Sequence, residues 1–168
     1  MDFLDLAKKR WACRTYSDRK IDDQTLAKIL EAGRIAPTAA NRQSQRIVVV
    51  RTPKDLEKLT HCTRDFKAPC ALIVCTDLSE SWVRKYDQMN AGVIDATIVT
   101  DHMMLQAADL GVDSLWVCMF KPEAVRQEFE LPDHIVPVNI LILGYSSEAA
   151  TSPERHATTR KRLEDTLL

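Results

Sequence analysis

The length, composition and charge of the chain are those of one globular domain. It has 168 residues, of which 45% are hydrophobic and 28% charged, a balance that excludes a disordered chain, a collagen and a disulfide-stapled miniprotein. The 23 Lys and Arg residues against 24 Asp and Glu residues give a net charge of -1, so a nucleic-acid partner is not expected.

Two helices are predicted before residue 40. Asp2 can cap a short helix that ends in the basic run 8–10, and Asp22 can cap a second helix. The second helix has one apolar face with α-helical spacing, formed by Leu26, Ile29, Leu30 and Gly33. Pro37 ends it, because the residue before a proline is pushed out of the helical region.

The middle of the chain predicts two buried strands and a long helix. Residues 47–50 and 71–74 are short, β-branched apolar runs typical of buried strands, and a brief helix over 53–59 separates them. A long helix is predicted over 91–110, with apolar residues on several faces and Gly111 just beyond its end. Before it, residues 79–86 are polar but contain Trp82 and Tyr86.

Strands and helices continue to alternate up to residue 145. Strands are predicted over 112–117 and 136–144, with a helix over 122–129 between them that has Pro122 in its first turn. Four apolar strands and several helices indicate the α+β class. After residue 145 the chain becomes polar and rich in small residues, so we expect a domain over 1–145 and a C-terminal extension over 146–168.

The five cysteines indicate a reducing compartment and no structural metal. Their number is odd and none forms a C-x-x-C pair, so we expect reduced, mostly buried thiols. Cys70 and Cys75 should lie on opposite faces of one strand. No run reaches the ~18–20 apolar residues of a membrane span, and the first five residues do not resemble a secretory signal. We therefore expect a cytoplasmic protein with no membrane partner.

Arginine is the residue type that remains for binding an anion. The four glycines cannot form a G-x-G-x-x-G or G-K-[ST] loop, and the four histidines are scattered. A phosphate without a glycine-rich loop needs charged, often bidentate donors. Arg10 and Arg14 near the first helix, and Arg160 and Arg162 near the C-terminus, could supply them. By spacing alone, an ordinary solvated basic face is the stronger interpretation.

Two further segments could meet a planar cofactor. If the 37–43 loop is extended, Asn41 and Gln43 point to one side, and their amides offer donors and acceptors to the edge of a flavin or nucleobase. Taken alone, ordinary turn chemistry is the stronger interpretation of these residues. The apolar run 115–120 could form a wall for such a ring, although a plain core strand is the simpler interpretation.

These segments together resemble the FMN-dependent nitroreductase family. Residues 10–16, RWACRTY, resemble its R-x-S-x-R-x-[FY] motif, and residues 36–44, APTAANRQS, match A-P-[ST]-x-x-N-x-Q-P except at the last position. Residues 111–120 resemble G-x-x-x-x-W-x-x-x-F. The L-P at 131–132, the G-Y at 144–145 and RKRLE at 160–164 resemble the family's later motifs. The resemblance covers almost the whole chain.

The resemblance implies a mainly antiparallel sheet flanked by helices, in an intertwined homodimer with an FMN at each subunit interface. The 146–168 extension would embrace the partner subunit. Three sets of residues would bind the FMN. The phosphate and ribityl side would be held by Arg10, Trp11, Ala12, Arg14, Arg160 and Arg162. The pyrimidine side would be met by Pro37, Thr38, Ala39, Asn41 and Gln43 of the partner, and the reactive edge by the backbone of Val117, Cys118 and Met119.

Three positions depart from the family pattern. Ala12 replaces a serine, which removes one hydroxyl from the phosphate side, and Ser44 replaces a proline. Cys118 and Met119 replace small residues after the tryptophan. A loosely held flavin or an altered flavin chemistry would be the consequence.

The implied activity is a two-electron reduction. NADH or NADPH would transfer a hydride to the flavin, and a nitroaromatic or quinone acceptor would then use the same pocket in a ping-pong reaction. No side chain is required as an acid or base, so no catalytic residue is assigned. The alternatives are a non-catalytic flavin-binding module, such as a flavin reservoir or redox sensor, and an FMN-free interaction protein.

Overall fold

A four-stranded antiparallel sheet forms the centre of the molecule in the computed structural model, which describes residues 2–168. Its strands are β1 Gln45–Val50, β2 Cys70–Asp77, β3 Asp113–Val117 and β4 Ile135–Gly144. They are arranged in the order β1-β2-β4-β3, and every pairing is antiparallel. The strands β1 and β3 are therefore the two edges of the sheet.

Helices cover both faces of this sheet. They are α1 Phe3–Lys9, α2 Asp23–Ile35, α3 Pro53–Cys62, α4 Gly92–Asp109, α5 Pro122–Glu128 and α6 His156–Thr159. One core lies between the sheet and helices α2 and α4, and the other lies between the sheet and helices α3 and α5. The α+β class and the antiparallel sheet expected from the sequence are confirmed.

The alternation of β2 residues separates the two cores. Cys70 and Leu72 contribute to the core beneath α2 and α4, whereas Ile73 and Cys75 contribute to the opposite core, so the two cysteines lie on opposite faces as predicted. Burial raises the pKa of Cys70 to about 11 and that of Cys75 to about 12. These thiols therefore stay protonated and unreactive at neutral pH.

Helix α3 and strand β2 are among the elements that are longer than the sequence predicted. Helix α3 continues from residue 59 to Cys62, because the buried Leu59 and Cys62 anchor its last turn in the core. Strand β2 continues to Asp77 through the polar Thr76, which pairs with β1 on one side and with β4 on the other. Thr76 is β-branched and suits a strand, and pairing with β4 outweighs the low strand propensity of Asp77.

The long helix α4 has a buried face and an apolar outer face. Ala96, Val99 and Met103 are fully buried against the sheet and α2. Gly33 of α2 makes this contact close, because a Cβ added there would lie 2.8 Å from Met103 Cγ. On the outer side, Val93 and Ile94 are 54% and 49% exposed. An apolar outer face is unusual for a helix that packs only against its own chain, because that face would then be exposed to solvent.

The tail, residues 146–168, contains α6 and two short 3-10 turns and contributes no buried residue to the core. It packs against α1 of its own chain through side chains of residues 155 and 156. No helix within residues 2–168 is long and apolar enough to cross a membrane.

Candidate flavin site

Three arginine side chains converge where α1 ends, and we call Arg10, Arg155 and Arg160 the arginine cluster. Burial lowers the pKa of Arg10, and the positive charges of Arg155 and Arg160 lower it further. The carboxylate of Asp101 opposes this effect only as the weakest of the four influences. The cluster therefore has an excess of positive charge that a bound anion would neutralise.

The first sequence motif lies beside the start of β3. Trp11 donates its indole N–H to Asp113 Oδ1 at 2.8 Å, and Ala12 forms a parallel bridge with Ser114. The side chain of Arg14 is exposed and donates to the Ala12 carbonyl at 3.1 Å. A small cavity of about 140 Å³ opens here, lined by residues that include Arg10 and Trp11.

The structure brings together part of the predicted phosphate side. Arg160 stands near Arg10, but Arg162 points to its own neighbours and pairs with Glu164 and Asp165 at 3.2 and 3.1 Å. Arg155 belongs to the cluster although its position in the sequence did not single it out. The signal available was its spacing, five residues before Arg160 in the same tail.

The 37–43 loop is turned rather than extended, so the condition under which Asn41 and Gln43 would point to one side is not met. Ala40, Asn41 and Gln43 have φ values of 50°, 54° and 51°, in the left-handed region that costs a non-glycine residue roughly 1–2 kcal/mol. Residues 39–41 form a 3-10 turn. The loop is turned because a tertiary contact with helix α4 fixes its backbone.

Asp95 of α4 fixes the 37–43 loop. Its Oδ1 accepts the N–H of Ala39 at 2.9 Å, and Thr38 Oγ1 accepts the N–H of Gln43 at 3.0 Å. The side chains of Asn41 and Gln43 remain exposed. Strained backbone that is held rigidly is typical of binding loops, and here it presents two amide side chains to solvent.

Ser44, which replaces the family proline, is fully buried at the end of this loop. Its hydroxyl lies 3.3 Å from Thr76 Oγ1, and its carbonyl accepts the N–H of Asp77 at 2.8 Å. The substitution therefore acts on the junction between the loop and the sheet and leaves the exposed surface of the loop unchanged.

The run 115–120 divides into core and surface. Leu115 and Val117 are buried, as the plain core interpretation predicts, whereas Cys118 is exposed and Met119 is 90% exposed. Trp116 donates its indole N–H to Asn139 Oδ1 at 2.8 Å. Cys118 and Met119, just after β3, are thus the exposed side chains of this run.

The two halves of the predicted site lie at opposite ends of one chain's sheet. Ala12 bridges to Ser114, which is aligned across the sheet with Cys70, the first residue of β2. The 37–43 loop leads into the start of β1, which pairs with Thr76 near the other end of β2. Six residues of strand separate these levels, about 20 Å. The loop precedes the edge strand β1 and the arginine cluster lies by the other edge strand, β3. One chain does not bring all the predicted residues together.

A structured loop lies at the same end of the sheet as the 37–43 loop, and we call residues 79–90 the aromatic loop. Arg84 and Asp87 form a bidentate ion pair within it, and Ser81 Oγ donates to Asn90 Oδ1 at 2.7 Å. Trp82 is half-buried, and Tyr86 is 97% exposed at its tip. The loop therefore holds an exposed aromatic ring on a defined backbone.

Other potential sites do not coincide with these residues. Within residues 2–168 no group of three or more His, Cys, Asp or Glu side chains could hold a metal ion. A cavity of about 540 Å³ lies between α3 and the start of β2, and it is lined by none of the predicted flavin-site residues.

The fold and the site define an α+β protein with three arginines grouped at one end of its sheet. Residues 7–66 and 58–145 match the family model described as the Nitroreductase family, and the chain belongs to this family. The strand order, the long helix and the early arginine motif are thus those of a nitroreductase-like fold.

The chain is similar to proteins of known structure and to named reductases. A nitroreductase family protein from Clostridium difficile 630 has a solved structure with a TM-score of 0.98 and 47% identity, covering 100% of this chain and 98% of that one. A provisionally named NADH dehydrogenase/NAD(P)H nitroreductase of Methanothermobacter thermautotrophicus is 30% identical over 158 residues, 88% of this chain and 79% of that protein. The FMN reductase [NAD(P)H] of Bacillus subtilis is 21% identical over 161 residues, 84% of this chain and 65% of that protein.

Proposed function

We propose that this protein is an FMN-dependent NAD(P)H oxidoreductase that reduces nitroaromatics, quinones or similar acceptors by two electrons. The arginine cluster is the observation that carries the proposal, because its positive charge has little compensation and Arg10 and Arg160 could donate charged hydrogen bonds to the phosphate of FMN. The Bacillus subtilis relative named an FMN reductase supports the same cofactor.

The residues of the site fit FMN in three parts. Arg10 and Arg160 would hold the phosphate, with Arg14 at the rim. The rigid 37–43 loop would meet the pyrimidine side of the ring through the amides of Asn41 and Gln43, and Cys118 and Met119 would border its reactive edge. Because the arginine cluster and the 37–43 loop lie at opposite ends of one sheet, we propose that each FMN is bound between two copies of the chain.

The role of the protein in the reaction is to bind and orient. FMN, when bound, supplies the hydride chemistry. The aromatic loop would cover the open face of the site, exclude water and stack on flat substrates through Trp82 and Tyr86. NADH or NADPH and the acceptor would use this one pocket in turn, so the proposal requires no catalytic side chain. The five free cysteines support a reducing compartment, and we propose the cytoplasm.

The visible spectrum of the purified protein and its steady-state kinetics test this function. We expect a yellow protein that releases FMN on denaturation, and parallel double-reciprocal lines for NAD(P)H at several acceptor concentrations. Bound FMN without NAD(P)H oxidation would favour a flavin reservoir or sensor instead. A folded protein that stays colourless and does not bind added FMN would contradict the proposal, and intersecting lines would contradict the ping-pong order.

Replacing Tyr86 with alanine should change acceptor preference without changing FMN content. The side chain is 97% exposed, so the fold does not depend on it, and its loss removes a stacking surface worth about 0.5–1.5 kcal/mol. We expect kcat/KM for flat aromatic acceptors to fall about 2- to 10-fold relative to a non-planar acceptor. Trp82→Ala should act in the same direction. If neither variant changes kcat/KM for the flat acceptors, the aromatic loop is not part of the pocket.

A further inference from the structure

We propose that Arg155 is a positioning residue that clasps the tail to α1 and thereby places Arg160 beside Arg10 to form the phosphate site. The inference rests on the proposed function and goes beyond it, because Arg155 would not touch the phosphate itself. It assigns the assembly of the cluster to one side chain of the tail.

The hydrogen bonds of the Arg155 guanidinium all go to backbone carbonyls. Its Nη2 donates to the Arg10 carbonyl at 2.6 Å, and its Nη1 donates to the Lys8 carbonyl at 3.2 Å. Nη1 also donates to the carbonyls of Ser152 and Thr151 at 2.9 and 3.4 Å. One side chain thus ties two segments that are about 145 residues apart in the chain to each other.

The carbonyls that Arg155 meets on α1 need a donor. Lys8 lies in the last turn of α1 and Arg10 is its C-cap, and carbonyls at a helix C-terminus have no partner within the helix. A cation is also favoured there by the helix dipole. Arg155 therefore satisfies the end of α1 while it fixes the start of the tail.

His156 extends the clasp to Arg160. Its Nε2 lies 3.3 Å from the Lys8 carbonyl, and its Nδ1 lies 3.5 Å from Nε of Arg160. Because Arg160 Nε–H can only donate, Nδ1 is the acceptor, and the ring proton sits on Nε2 and points to Lys8. Both contacts are long, so the shorter hydrogen bonds of Arg155 carry most of the docking.

Ser146 and Ser147 are tied to Asp113 and Thr15 at the start of the tail, and beyond them the hydrogen bonds of Arg155 and His156 hold the tail to the rest of the described chain. None of its helical residues over 153–166 is buried, so apolar burial contributes little to its docking. Loss of the clasp would leave Arg160 on a segment that is free to move away from Arg10. The phosphate would then lose one ligand, although Arg160 itself remains in the sequence.

The test compares FMN with riboflavin, which lacks the phosphate. For Arg155→Ala we expect the Kd for FMN to rise about 10- to 100-fold and the Kd for riboflavin to change less than threefold. Arg155→Lys keeps the charge but not the fork of donors, so it should recover only part of the affinity. Lys161→Ala removes another exposed cation of the tail and should leave both constants unchanged.

A second measurement does not depend on flavin. Trypsin should cut the tail of Arg155→Ala at residues 160–162 at least several times faster than it cuts the wild type, both without FMN. The clasp would be overturned if trypsin cleaved Arg155→Ala no faster than the wild type, or if its Kd for FMN stayed within twofold of the wild-type value. Equal losses of affinity for FMN and riboflavin would overturn it as well. A wild type that binds neither flavin would instead contradict the proposed function, and the cleavage rates would still decide whether Arg155 holds the tail.

Discussion

Replacing Arg10 with alanine is expected to weaken FMN binding about 10- to 150-fold. The side chain is half-buried, and its pKa is lowered by burial and by the charges of Arg155 and Arg160. A phosphate bound there relieves this repulsion and accepts charged hydrogen bonds, each worth about 1.5–3 kcal/mol. Quenching of flavin fluorescence on titration of apoprotein measures the change.

Two variants separate the geometry of Arg10 from its charge. Arg10→Lys should restore only part of the FMN affinity, because an ammonium group cannot make the bidentate contact. Arg14→Ala should weaken FMN binding less than Arg10→Ala, since Arg14 is exposed and already donates to the Ala12 carbonyl. An Arg10→Ala protein with wild-type FMN affinity would move the phosphate away from the end of α1.

The elements predicted well are those whose signal is local. Strands β2 and β4 are dense apolar runs that are buried throughout or nearly so. The second helix was marked at both ends, by an Asp22 side chain that accepts the Thr25 N–H and by Pro37. Such elements follow from spacing, capping and backbone restriction within a few residues.

The turned backbone of the 37–43 loop could not be predicted from its own residues. Ala40 and Gln43 have no intrinsic preference for positive φ, and the N–H of Ala39 is held by Asp95, which lies 56 residues further along the chain. The contact between α4 and the loop decides the backbone, so the residues of the loop alone did not show that it is turned. The motif identified the loop, but its shape depends on tertiary contacts.

The members of the arginine cluster could likewise not be predicted from the sequence alone. The first motif and the tail were both singled out by their arginines, yet spacing did not distinguish Arg160, which joins Arg10, from Arg162, which pairs with Glu164 and Asp165. Which arginine of a polar tail faces the site depends on where the tail docks. That docking is made with backbone carbonyls of α1, which carry no sequence signature.

The departures from the family pattern differ in their expected effect. Ala12 holds its place through a backbone bridge to Ser114, so only the hydroxyl is missing and the backbone of the phosphate side is intact. Met119 is 90% exposed, and its flexible side chain can move aside rather than crowd a ring. Neither change removes a charged donor, and the arginine cluster remains the main determinant of flavin affinity.

Replacing Ile94 with aspartate is expected to separate the proposed homodimer and to remove its FMN. Ile94 is 49% exposed beside Val93 on the outer face of α4, and α1 packs next to α4 with Phe3 and Leu4 both 65% exposed. This apolar surface is the one that a second copy would bury. An aspartate buried there without a partner costs several kcal/mol, and symmetry places two of them in one interface.

The effect on the flavin follows from the division of the site between two copies. If the 37–43 loop of one copy completes the arginine cluster of the other, a monomer keeps the phosphate side and loses the ring side. Sedimentation of Ile94→Asp at micromolar concentration should therefore show a folded monomer without flavin. The matched control is Lys54→Asp on α3, which places the same residue on the opposite side of the sheet and should remain a flavin-bound dimer. An Ile94→Asp monomer that retains FMN would contradict the shared site, because one chain would then be sufficient to bind both ends of the cofactor.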